Sequence, residues 1–81
     1  MVKVRIWGSL TAATDGRSEV EVDATNLREL LDSLAQAYPG LQPQLKRGVT
    51  VAIDGLLYND DWFTPISDDS EVVLLSRLQG G

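Results

Sequence analysis

The reactive group of this chain is expected at its last two residues. Gly80 and Gly81 carry no side chains and have the widest backbone freedom, so a terminal carboxylate borne on them can be threaded through a narrow slot in another protein. Other sources of chemistry are scarce. The sequence has no cysteine and no histidine, which removes disulfides, thiolate metal sites, cysteine nucleophiles, the commonest general base and the commonest metal ligand together. Asp60, Asp61, Asp68 and Asp69 are acidic pairs, but their spacing is not that of a calcium loop, and they read as solvated turns. The carboxylate of Gly81 is therefore the candidate reacting group, with Gly80 keeping the neighbouring backbone slim and the remaining reagents coming from partners.

The elements that must position this end lie just upstream. Glu71-Val72-Val73-Leu74-Leu75 is a short apolar run fitting a central strand flanked on both sides. The polar tail Arg77-Leu78-Gln79 then leaves from the middle of a sheet. Within it Leu78 is the apolar residue, read as a docking anchor for a partner groove. Arg77 is a strand-end charge that a partner carboxylate could read.

Length and composition set the frame. Eighty-one residues make one domain with a single modest core and no room for an enclosed active-site cavity. A net charge of −5 without any basic run argues against a phosphate-backbone partner, which needs clustered Lys and Arg. No apolar stretch approaches a membrane span and no signal-peptide core stands at the N-terminus, so a cytoplasmic protein is expected. With no catalytic constellation, the chain is expected to be a carrier or a non-catalytic subunit rather than an enzyme.

Taken in order, Val2, Val4 and Ile6 alternate with Lys3, Arg5 and Trp7, the period of a strand with one buried face. Gly8 to Arg17 reads as a connection of mostly polar and small residues with Asp15-Gly16 as its turn, and Ser18 to Asp23 alternates again with Val20 and Val22 inward. In the resulting antiparallel hairpin Lys3 and Arg5 lie across from Glu19 and Glu21. Asn26 stands three residues before Glu29, a pattern close to the capping box that starts a helix. Leu27, Leu30, Leu31, Leu34, Ala35 and Tyr38 follow as one helical stripe facing the core. Tyr38-Pro39-Gly40 stops it, and Leu41 to Lys46 is expected to add one short turn. Val49, Val51 and Ile53 form a strand up to Asp54-Gly55, a strong hairpin signal, with Leu56 to Tyr58 as the short return. Asn59 to Pro65 is a loop whose adjacent Trp62 and Phe63 are expected to cap the core, and Ser67-Asp68-Asp69-Ser70 is the turn into the last strand.

Two strands, a helix, a strand, a short strand and a last strand make an α+β sheet of four to five strands with one main helix across one face. The other face is left to solvent. If the last strand inserts parallel to the first, Trp7 sits near the root of the tail. Trp7 points to the open face, where either Val72 and Leu74 or Val73 and Leu75 join it in an interaction patch. Trp7, Leu74, Arg77, Leu78 and Gln79 are the candidate partner-binding positions.

The helix start Ala24 to Leu31, the helix end Ala37-Tyr38-Pro39-Gly40-Leu41, the Val51-Ala52-Ile53-Asp54-Gly55 hairpin, the approach from Thr64-Pro65-Ile66 to Glu71-Val72 and the terminal Gly80-Gly81, in that order, resemble the MoaD/ThiS sulfur carriers. The resemblance implies a ubiquitin-like β-grasp domain over residues 1–76 and a flexible tail over 77–81. It also implies a function: Gly81 is adenylated by an ATP-dependent activating enzyme, and a sulfur donor then converts it to a thiocarboxylate. No cofactor is expected on the carrier itself, ATP being used by the activating enzyme. The pathway expected is molybdopterin biosynthesis, with this chain as the small subunit that inserts its tail into a catalytic large subunit and stays a monomer when free. Carriers for thiamine thiazole or another sulfur-containing metabolite share the pattern, and Arg77-Leu78-Gln79-Gly80-Gly81 also looks like the end of ubiquitin, so a protein modifier is the further alternative.

Overall fold

Two β-strands begin the chain and are paired where the alternation places them. In the computed structural model, which describes residues 1–59 and 61–76, β1 (Val2–Ile6) lies antiparallel to β2 (Glu19–Val22) with Lys3 opposite Glu21 and Arg5 opposite Glu19. These opposite-charge neighbours do not close into contact pairs. The ion pairs among the described residues are instead the Met1 amino group with Asp68 and Arg28 with Asp32.

The connection between these strands is more structured than its composition suggests. Gly8–Thr14 winds as a 3-10 turn that buries Leu10 and Thr14. The Thr14 hydroxyl donates to the carbonyl of Arg17 at 2.8 Å, which permits a hydroxyl in a dry position. Asp15 and Gly16 then turn the chain with φ of 57° and 78°, the left-handed region that glycine and aspartate tolerate best.

Helix α1 (Leu27–Ala37) starts at Asn26, whose Oδ1 accepts the Glu29 N–H at 2.9 Å. The reciprocal half of the box is displaced by one residue. Glu29 Oε1 accepts both the N–H and the hydroxyl of Thr25, at 2.9 and 2.7 Å. Leu27, Leu30 and Leu34 are fully buried, each contributing about 1.5–3 kcal/mol through burial. Leu31, Ala35 and Tyr38 are only partly covered and form the edge of the stripe.

Past Tyr38 the chain makes a 3-10 turn over Pro39–Leu41 and a second short helix, α2 (Gln42–Arg47), ended by Gly48 at φ 102°. Leu41 is in the core. At Gly40 a Cβ would meet the Ala13 carbonyl oxygen at 3.3 Å. The missing side chain lets this turn close against the first 3-10 segment.

Strands β3 (Val49–Ile53) and β4 (Leu56–Tyr58) form the expected hairpin. Asp54 and Gly55 have φ of 51° and 86°, the primed turn whose twist matches that of the strands. Strand β5 (Val72–Ser76) inserts between β1, to which it is parallel, and β3, to which it is antiparallel. The strand order is β2-β1-β5-β3-β4. One face packs Val2, Val4, Ile6, Val51, Ile53, Val72 and Leu74 into a core completed by the leucines of α1. No helix among the described residues is long and apolar enough to cross a membrane.

Candidate functional site on the open sheet face

The central strand decides the site. Val72 and Leu74 of β5 point to the core, while Val73 and Leu75 are half-buried on the uncovered face. The register enforces this parity, because Leu74 is aligned with inward Ile6 on one side and inward Val51 on the other. Side chains aligned across a sheet point to the same face.

Leu74 is therefore not a partner-binding residue in this fold. It is 0% exposed, and its apolar neighbours Val73 and Leu75 take the surface role that Leu74 was expected to share. Trp7 is where it was expected. It lies one residue beyond β1, 62% exposed, with its N–H donating to the Leu74 carbonyl at 3.1 Å.

Around these residues the open face dips into a shallow groove of about 540 Å³ lined by Arg5, Trp7, Gly8, Ala52, Val73, Leu75 and Ser76. Ala52 deepens it by being small, and Arg5 is the one charged group in its lining. Leu57, aligned with Ala52, is exposed and extends the apolar strip across the sheet. Arg5 and Ala52 were legible only in part: Arg5 shares Trp7's parity, whereas Ala52 becomes a site residue only once β3 is known to lie beside β5.

The groove meets the end of β5. Ser76, the last residue of the strand, lines it. The candidates Arg77, Leu78, Gln79, Gly80 and Gly81 lie outside the described residues, as does Asp60. No group of three or more acidic side chains that could hold a metal occurs among the described residues.

The loop aromatics depart from expectation. Trp62 is 40% exposed and Phe63 81% exposed, so neither caps the core. The loop's backbone is spent on α1 instead: the N–H groups of Leu27 and Arg28 donate to the carbonyls of Thr64 and Trp62 at 3.0 and 2.9 Å. Those bonds satisfy two helix-start donors, and the two rings stand exposed beside them.

A five-stranded mixed sheet with parallel central strands and one main helix across one face defines a ubiquitin-like β-grasp protein. Solved structures share the fold. Mycobacterium tuberculosis CysO is 21% identical with a TM-score of 0.81, covering 96% of this chain and 100% of that one. Small archaeal modifier protein 1 (SAMP1) from Methanosarcina acetivorans is 24% identical with a TM-score of 0.74, covering 99% and 95%. A chain in the complex of subunits 1 and 2 of the molybdopterin-converting factor from Helicobacter pylori is 28% identical with a TM-score of 0.69, covering 99% and 97%. A comparison with curated proteins finds no match. The ThiS family model matches residues 4–81, and this chain belongs to that family of ubiquitin-like sulfur carriers.

Proposed function

We propose that this protein is a sulfur carrier of molybdopterin biosynthesis, working through the C-terminal carboxylate of Gly81. That carboxylate attacks the α-phosphorus of ATP in a partner enzyme and expels pyrophosphate. A hydrosulfide-equivalent donor then attacks the acyl carbon and expels AMP, which departs with one former carboxylate oxygen. The net change on the carrier is one oxygen exchanged for sulfur. This body contributes reach and address, since docking turns a collision into a near-unimolecular step. The Trp7, Val73 and Leu75 groove supplies the address, because an apolar anchor beside the tail root commits the end of the chain to one direction.

The observation that carries the reading is the family match running to residue 81, together with the apolar groove into which Ser76 opens. The molybdopterin assignment is supported by the 28% identity to a chain of the molybdopterin-converting factor complex. Incubation with a cognate activating enzyme, ATP and a sulfur donor is expected to raise the intact mass by one oxygen-to-sulfur exchange, localised to Gly81. An unchanged mass with competent partners counts against the carrier reading. Thiocarboxylated protein that fails to support molybdopterin formation with a large subunit counts against the pathway alone.

Similarity to SAMP1, a small archaeal modifier protein, and the Arg77-Leu78-Gln79-Gly80-Gly81 sequence favour a second reading as a protein modifier. Higher-mass adduct ladders that vanish when Gly80 and Gly81 are deleted would support it.

A further inference from the structure

We infer that Arg5 is a specificity-determining residue of the open face, and that the partner docking there presents a carboxylate to it. The inference rests on the reading of that face as the surface met by the activating enzyme. Arg5 stands on β1 between Glu19 of β2 and Val73 of β5. Its side chain is exposed and lines the groove beside Trp7, Ala52, Val73 and Leu75, the one charge in that lining. Among the described residues no acid takes its guanidinium. Glu19 lies opposite without closing an ion pair, and the pairs that do form use other groups. Arg5 also borders a second hollow, of about 330 Å³, whose lining includes Asp68, Asp69 and Glu71. Asp68 pairs with the Met1 amino group, and none of the three closes on Arg5.

The chemistry of the occupant follows from what docking does to this charge. An apolar surface seated on Trp7, Val73 and Leu75 takes water from the guanidinium in the same lining. Arginine cannot shed its proton, so a guanidinium stripped of water without an acceptor opposes binding. A neutral carbonyl of the partner offers an acceptor but leaves the charge unbalanced. A carboxylate accepts two parallel N–H donors and neutralises it. The net charge of −5 on this chain repels an acidic partner at long range, so the pair acts by contact and not by steering. A protein whose apolar surface fits the groove but lacks an acid at this point is rejected, which is how an unpaired charge confers specificity.

Calorimetric titration of the full chain into the cognate activating enzyme tests this, with ATP–pyrophosphate exchange followed separately on the same samples. Arg5→Met keeps an apolar stem and removes the charge, and is expected to raise Kd about thirtyfold or more by leaving the partner's acid unpaired. Arg5→Glu raises it further. Glu19→Gln leaves Kd unchanged, since Glu19 does not hold Arg5. Urea denaturation of each variant separates these changes from loss of fold. The deciding step is rescue: the exposed Asp and Glu residues of the enzyme are changed to Arg one at a time, and one of these changes is expected to restore binding of Arg5→Glu while weakening that of the parent. A purely structural role for Arg5 produces no such exchange of charges. Parent affinity in Arg5→Met overturns the inference, as does a raised Kd that no charge reversal recovers, or a parent chain that does not bind. Binding by the parent without any exchange fails the carrier reading instead, and the Kd series still decides the role of Arg5.

Discussion

The backbone N–H of Trp7 donates to the backbone carbonyl of Leu74 at 3.1 Å, tying a residue whose side chain is exposed to one whose side chain is fully buried. This bond continues the β1–β5 pairing by one residue and sets the Trp7 backbone beside the second half of β5. It also separates two roles that the sequence leaves entangled: Leu74 holds the strand in the core, and Trp7 stands on the open face that β5 shares.

Trp7→Ala is expected to leave folding nearly unchanged, since surface substitutions usually stay within about 0.5 kcal/mol. Its effect falls on docking. Losing an aromatic anchor costs about 2 kcal/mol of binding, or roughly thirtyfold, read as a raised KM for the carrier in ATP–pyrophosphate exchange by the activating enzyme with kcat retained. An unaltered KM removes the open face from the partner interface.

Leu74→Ala should show the opposite pattern. A buried leucine truncated in a close-packed core destabilises by about 2–5 kcal/mol, measured by urea denaturation. Once the folded fraction is accounted for, the KM of the activating step is expected to match that of the parent.

Asp54 does two jobs, and one substitution separates them. It occupies a left-handed turn position at φ 51° and its Oδ1 accepts the Glu71 N–H at 2.9 Å, at the entry to β5. Asp54→Ala loses both the tolerated backbone and the acceptor, with an expected destabilisation of about 1–3 kcal/mol. Asp54→Asn keeps both and is expected to lie within about 0.5 kcal/mol of the parent. Thermal melts of the two variants side by side check the order.

Glu29 gives the fold a pH signature. The Thr25 hydroxyl, and then the Thr25 N–H, hold its carboxyl below the ordinary value of 4.5. A carboxyl depressed in the folded state contributes stability that is present above its unfolded pKa and is lost as pH falls through the lower folded value. NMR titration is expected to find Glu29 titrating below 4.5. Thr25→Ala, which removes the hydroxyl and keeps the backbone donor, should move it back upward; no movement means the hydroxyl is not the main cause.

Much of this architecture is local and therefore legible along the chain. The alternation of Val2, Val4 and Ile6, the Asn26 cap, the stop at Pro39-Gly40 and the Asp54-Gly55 turn each depend on a few neighbouring residues, and each lies where its spacing puts it. The 3-10 turn that buries Leu10 was not legible, because Gly8 to Thr14 has no strong period. Trp62 and Phe63 were misplaced because aromatic pairs usually seek cover, while here the loop's backbone serves the start of α1.

The sequence by itself determined the kinds of elements and their order, since propensity, capping and period act within a turn or two of chain. Only tertiary structure decided which face of β5 is outside. Val72, Val73, Leu74 and Leu75 are apolar at every position and carry no alternation of their own, so their orientation was set by registering against β1 and β3, strands far away in sequence that do alternate.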